Sequence, residues 1–224
     1  MRTFVACLLT ALLAGATTAT AAPPELKTDA QKTLYALGVA LSQNLSLFSL
    51  SEAEMEIVAS GLADGALKKT SKVDIQTYGP KIQQMYAARA AVASAAEKKT
   101  GQAFADKAAA DKGATKTPSG IIVTPIKPGT GPSPAATDKV KVHYHGTLVD
   151  GTVFDSSVQR GQPATFPLNS VIKCWGEAIP LMKVGGKSKI VCPSAVAYGD
   201  RGAPPRIRPG ATLVFEVELL EIVK

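Results

Sequence analysis

Few residues of this chain are equipped for chemistry, and most groupings among them fail. His143 and His145 stand two apart on one strand face, where they could share a metal, but no cysteine or carboxylate completes a ligand set. No G-x-S-x-G, no P-loop and no complete G-x-G-x-x-G opening a helix is present, which leaves serine-hydrolase, nucleotide and dinucleotide chemistry unsupported. The informative stretch is VIKCWGEAI, residues 171 to 179. It begins with two β-branched residues, as a strand end would, and places the chain's single tryptophan, Trp175, where an apolar helix should start. Tryptophan buries a large area but leaves one N–H to satisfy, so Trp175 reads as the floor of a core or of a pocket.

The elements that must position Trp175 lie after Gly120, where the hydrophobic period becomes two. IIVTPI (121–126) reads as a strand and GTGPSP (129–134) as a loop. In KVKVHYHGTLVDG (139–151), Val140, Val142 and Tyr144 share one face and Lys139, Lys141, His143 and His145 the other, with Asp150-Gly151 closing a turn. LVFEVELLEIV (213–223) sends Leu213, Phe215, Val217 and Leu219 inward and Glu216 and Glu218 outward. TFPL (165–168), a helix from Trp175 to about Met182 and SKIVCP (188–193) lie between them. The expected product is an antiparallel sheet with one apolar face, curved over one short helix.

The half before Gly113 is built from helix formers and nowhere alternates like a strand. Leu34, Leu37, Val39, Leu41, Leu45 and Leu47 make a first segment apolar on more than one face. Ser51 with Glu54 forms a capping box for a second, whose buried side is Met55, Ile57, Val58 and Leu62. A third segment begins near Val73-Asp74 and, past Gly79-Pro80, runs from Lys81 to about Lys112, the latter part roughly 45 Å long at about 1.5 Å per residue. From Ala87 onward it is mostly alanine and charge, which suits a stalk better than part of a globule. Two short helices apolar nearly all round cannot bury themselves in one small domain, so residues 28–80 are expected to dimerise, with a loose monomeric helical bundle as the alternative. Gly113, Thr115, Thr117, Pro118, Ser119 and Gly120 break the third helix and mark a domain boundary.

At the N-terminus, Arg2, an apolar run from Phe4 to Gly15 and small residues ending at Ala21 read as a cleaved secretory signal. Two cysteines, Cys174 and Cys192, remain after cleavage; an even pair in an exported protein suggests a disulfide and a periplasmic address. The whole chain carries 25 basic and 18 acidic residues; loss of Arg2 with the signal leaves a charge of +6. The lysines are scattered rather than massed with aromatics, so nucleic acid is not expected as a partner.

VHYHGTLVDGTVFDSS, then F-P-L with VIKCW, then AYGDRGAPP and GATLVFEVELL, in that order, resemble the FKBP-type peptidyl-prolyl isomerase domain over its full length. YALGVALSQNL and the stretch from GLADGAL to YGPKIQQMYAARA resemble the helical dimerisation domain of exported FKBPs of the Mip/FkpA type. The implied fold class is α+β: an all-α dimerisation domain and long stalk helix, then a curved antiparallel sheet wrapped around one short helix. The implied division is a signal peptide (1–21), a helical dimerisation domain (22–80), a stalk helix and linker (81–117) and an FKBP-type isomerase domain (118–224).

The resemblance implies a shallow apolar pocket that receives a proline side chain. Tyr144, Phe154, Val171, Ile172, Trp175, Tyr198, Ile207 and Phe215 would line it, with Trp175 as floor and Phe166 as a further candidate. Asp155 would stand at the rim; the Ile172 N–H and the Tyr198 hydroxyl would hold substrate carbonyls. Taken singly, Asp155 also fits a turn-capping residue, Tyr198 a loop seal and Phe166 plain core. Cys174 and Cys192 replace residues usual in the family and lie in elements that should pack together, which implies a Cys174–Cys192 disulfide or else two buried thiols. Arg206 replaces a usual aliphatic residue, with a preference for acidic sequences near proline or weaker macrolide binding as the consequence. Implied partners are proline-containing unfolded or partly folded polypeptides, macrolide inhibitors of the FKBP class and a second copy of the chain. No metal, nucleotide or other cofactor is implied. The implied reaction is cis-trans isomerisation of X–Pro bonds during folding of exported proteins, with a holdase chaperone as the alternative.

Overall fold

The computed structural model describes residues 25–45 and 48–223; the segment read as a signal peptide and Leu47 lie outside them. The described residues divide into two compact units between Ala40 and Leu41. The first described helix, α1 (Asp29–Ser42), begins with a reciprocal cap: the Gln31 side chain accepts from Thr28 N–H at 2.9 Å and the Thr28 hydroxyl accepts from Gln31 N–H at 3.2 Å. It buries none of its own residues, and Leu34, Tyr35 and Leu37 are exposed.

Helix α2 (Glu52–Ala66) starts at the expected capping box, with the Glu54 carboxylate accepting from Ser51 N–H at 2.9 Å. Helix α3 (Ile75–Ala109) starts just after the expected Val73-Asp74 and runs through Pro80 without a break. Asp74 caps it by accepting from the N–H groups of Gln76 (3.0 Å) and Thr77 (3.2 Å). Pro80 therefore falls early in the helix, where it forfeits one hydrogen bond, and Gly79 before it has no Cβ to meet the proline ring. Arg89 fastens α3 to α2 by pairing with Glu54, and it donates to the Phe48 carbonyl at 2.7 Å. The Arg89 hydrogen bond, helped by those from Ser51, holds the Glu54 carboxyl at about 2.

The expectation that α3 is a stalk with little to bury needs correction. Its second half lies on the sheet, where Ser94, Gly101, Ala105 and Ala108 are buried along one helical face. These side chains are small, so they look like poor core material in sequence, yet they let the helix backbone approach closely. A Cβ on Gly101 would overlap the Thr212 side chain.

Seven antiparallel strands follow: β1 (Thr115–Lys116), β2 (Ile122–Lys127), β3 (Lys139–Leu148), β4 (Val153–Ser156), β5 (Ala164–Pro167), β6 (Lys187–Cys192) and β7 (Leu213–Val223). Their order is β1-β2-β6-β7-β3-β4, and β5 pairs with the start of β3, beyond the stretch that β4 occupies. The segment read as a boundary thus contains β1, the sheet's edge strand. Strands β3 and β7 run antiparallel from Lys139↔Val223 to Leu148↔Leu213 and form the spine. Their inward residues alternate as the period-two pattern requires.

One face of the sheet closes on helix α4 (Lys173–Ala178), which buries Cys174, Trp175 and Ala178 against Val140, Val142, Ile190 and Val217. On the opposite face Ile122, Val191 and Val214 meet Ala105 and Ala108 of α3. The β2–β6–β7 edge is therefore covered on both sides. A disulfide joins Cys174 at the start of α4 to Cys192 at the end of β6, with Cα atoms 5.7 Å apart.

Candidate active site

Between α4 and the concave face lies a cavity of about 530 Å³ whose base is aromatic. Trp175 is only 4% exposed, and three rings meet it edge-on: Tyr144 at 5.2 Å, Phe215 at 5.3 Å and Phe166 at 5.6 Å between centroids. Phe154 stands perpendicular to Phe215 at 5.5 Å. Edge-to-face contacts fix ring orientation as well as burying area. The buried indole N–H of Trp175 has no hydrogen-bond partner among the described residues.

The strands explain why these rings converge. Tyr144 points inward from β3; Phe215 does so from β7, directly opposite Gly146. Gly146 leaves the room this needs: a Cβ there would lie 2.7 Å from Phe154 Cζ and 3.0 Å from Phe215 Cε1. Ser157 pins Tyr144 from behind, its hydroxyl accepting from the Tyr144 N–H at 2.7 Å.

Polar groups stand on the walls. The Tyr144 hydroxyl donates to the Asp155 carboxylate, Arg160 pairs with the same carboxylate, and Arg160 donates to the Tyr144 oxygen at 2.8 Å. Burial opposes the charge on Asp155, but the hydrogen bonds from Tyr144 and Arg160 together outweigh it and hold the carboxyl below its usual range. Burial, reinforced by the neighbouring Asp155, pushes the Tyr144 phenol up. Ile172 stands just before α4, its carbonyl accepting from Trp175 N–H at 2.9 Å, while no acceptor meets its own N–H among the described residues. Tyr198 lines the cavity from the loop between β6 and β7 and is 41% exposed.

A family profile described as "FKBP-type peptidyl-prolyl cis-trans isomerase" matches residues 131–220, and one described as "Domain amino terminal to FKBP-type peptidyl-prolyl isomerase" matches residues 30–122. An FKBP-type 22 kDa peptidyl-prolyl cis-trans isomerase of Escherichia coli is 41% identical over 206 residues, covering 89% of this chain and 98% of the relative. The chain belongs to the FKBP-type peptidyl-prolyl cis-trans isomerases. FkpA of Aeromonas hydrophila is 40% identical over 212 residues, covering 89% of this chain and 79% of that protein. The crystal structure of FkpA from Escherichia coli superposes with a TM-score of 0.66 at 33% identity, covering 88% of this chain and 98% of that one.

Of the residues expected at the isomerase pocket, Tyr144, Phe154, Asp155, Phe166 and Val171 line the cavity, as do Ile172, Trp175, Tyr198 and Phe215. Ile207 does not: it is buried in the adjoining core, its backbone bridged to Ala203. Ser170 lines the cavity without having been foreseen, because a small polar residue in a loop has no periodicity to mark it. Arg160 and Gly146 were also missed. Arg160 is one charge in a turn, while Gly146 holds an inward β3 position where the pattern predicts a side chain. Arg206 reaches Phe154, donating to its carbonyl at 3.2 Å.

Proposed function

We propose that this FKBP-type isomerase accelerates rotation about X–Pro bonds in exported polypeptides by binding proline, without covalent chemistry, in the cavity floored by Trp175. The observation that carries this reading is the cavity itself: apolar rings locked edge-to-face, with a backbone N–H at Ile172 that meets no acceptor among the described residues, the Tyr198 hydroxyl and the Asp155 carboxylate on its walls. Amide resonance sets a barrier of about 18–20 kcal/mol, and X–Pro bonds isomerise unaided over tens to hundreds of seconds. No bond breaks, so no nucleophile is required. A proline ring held against Trp175 stays fixed while the preceding carbonyl turns, and groups that bind the turned carbonyl better than the planar one lower the barrier. The Ile172 N–H and Tyr198 hydroxyl are donors for that carbonyl and its neighbour, and Asp155 faces the bond from the rim. The direct test is the cis-to-trans rate of a short Leu-Pro peptide, measured with the chain and with Asp155→Ala and Tyr198→Phe. Acceleration that falls in both variants, with circular dichroism unchanged, is expected; a folded chain with no acceleration would make the pocket a binding site alone.

The cleaved signal at 1–21 and a periplasmic location belong to the same reading, as does the division into dimerisation domain, linking helix and isomerase domain. Exposed apolar side chains on the helices, Leu34 at 68% and Ile57 at 74% among them, support dimerisation and a chaperone role in addition to isomerisation. Sedimentation showing only monomer at micromolar concentration would remove the dimer. Suppression of aggregation that survives Tyr198→Phe would separate the chaperone role from catalysis.

A further inference from the structure

The loop that carries Tyr198 is held from behind by α3. Asp200, two residues beyond Tyr198, accepts from the Ser94 hydroxyl at 2.6 Å and pairs with Lys98 at 2.5 Å. Arg208, next to Ile207, bridges Glu97 of α3 at 2.7 Å and Asp150 of the β3–β4 turn at 2.8 Å. Between and beyond these ties the packing is tight. Ser94 is buried, and a Cβ on Gly210 would lie 2.5 Å from the Ser94 carbonyl oxygen. Within the loop, Gly199 N–H donates to Ser194 O at 2.8 Å, Gly202 N–H to Tyr198 O at 3.1 Å and Gly210 N–H to Gly199 O at 2.9 Å. Tyr198 thus faces the cavity from a segment whose other side is fastened to one face of a long helix.

We propose that Ser94, Glu97 and Lys98 of α3 are positioning residues for the isomerase site, acting through Asp200 and Arg208 to hold the Tyr198 loop over the proline pocket. This rests on the isomerase reading of the pocket and adds a part of the site lying outside the sheet domain. Releasing one tie lowers the fraction of molecules with Tyr198 in place, which reduces activity in proportion to that fraction. The ties are partly exposed and therefore salt-sensitive: the screening length shrinks to about 10 Å at 0.1 M.

The test is made on the full chain with Lys98→Ala, Ser94→Ala and Asp200→Ala, the charge-reversed pair Lys98→Asp with Asp200→Lys, and Lys99→Ala as a control on α3. Loss of the Lys98 tie should lower kcat/KM for a Leu-Pro peptide measurably but by no more than about fivefold, the ceiling that a part-exposed ion pair sets. The reversed pair should recover most of that loss, Lys98→Ala and Asp200→Ala should be non-additive, and Lys99→Ala should match the parent. Hydrogen exchange of the Gly199 and Gly202 amides should speed up in Lys98→Ala and Ser94→Ala while amides of β3 and β7 do not change. Unchanged exchange at Gly199 and Gly202 in both variants would overturn the proposal, as would a loss that the reversed pair fails to restore. The exchange measurement needs no turnover, so an inactive parent chain would count against the isomerase reading and leave exchange to decide the brace.

Discussion

Removing the Cys174–Cys192 disulfide should cost stability at the pocket floor by an amount the loop length sets. The cysteines are 18 apart in sequence, and closing a loop of that size removes unfolded-state entropy worth about 3 kcal/mol at 25 °C. For a domain of roughly 100 residues, where each kcal/mol moves Tm by about 4–8 °C, that is a fall of about 12–24 °C. Both cysteines are fully buried, so Cys174→Ala with Cys192→Ala also removes two packed sulfur atoms. The reduced parent chain keeps those atoms, and comparing it with the double variant separates cross-link from packing. Trp175 follows Cys174 directly and is the only tryptophan, so its fluorescence reports unfolding where the cross-link acts. Thermal unfolding would be followed with and without reductant, together with intact mass after alkylation in denaturant. A drop of less than about 3 °C on reduction would refute the loop-closure account. Uptake of two alkyl groups by the unreduced chain would refute the cross-link itself.

Gly146→Ala should push the Phe154 and Phe215 rings out of place; overpacking of this kind costs about 1–3 kcal/mol, and kcat/KM should fall with the melting temperature of the domain. Because Asp155 is held below the ordinary carboxyl range, it should remain charged throughout pH 5–8 and kcat/KM should be flat there. The sign is that of a depressed carboxyl: its contribution to stability is complete above the unfolded value near 3.9 and fades as pH falls through the lower folded one. Arg160→Ala should move the Asp155 titration, followed by carboxyl-carbon NMR, upward; no movement would show that Arg160 does not hold the charge.

The sheet was legible because a half-buried strand announces itself: Val140, Val142 and Tyr144 alternate with Lys139, Lys141 and His143, and every one of those faces is where the period puts it. The pocket was legible through motifs, not periodicity, since nothing in the spacing of Phe154, Trp175 and Tyr198 makes them converge without the fold. Misjudgement came where hydrophobicity is a poor guide to burial. Ser94, Gly101, Ala105 and Ala108 offer little apolar area, so α3 read as a stalk, yet their small size is what lets the helix press on Ile122, Val191 and Thr212. The family resemblance puts Ile207 on the cavity wall. In the structure its backbone pairs with Ala203, and the cavity wall falls elsewhere.

Taken together, these contacts divide the site into what is fastened and what is left open. Trp175 is backed by the disulfide and wedged by three rings, Tyr144 and Asp155 are tied to each other and to Arg160, and the Tyr198 loop is tied to α3. The Ile172 N–H, by contrast, has no acceptor among the described residues although it stands on the cavity wall. A donor of that kind, on a rigid frame, need not be reoriented when a substrate carbonyl turns toward it. A loosely held loop would instead spend part of the binding interaction on its own ordering. The ties behind Tyr198 should therefore bear more on the turning step than on the first encounter with a proline.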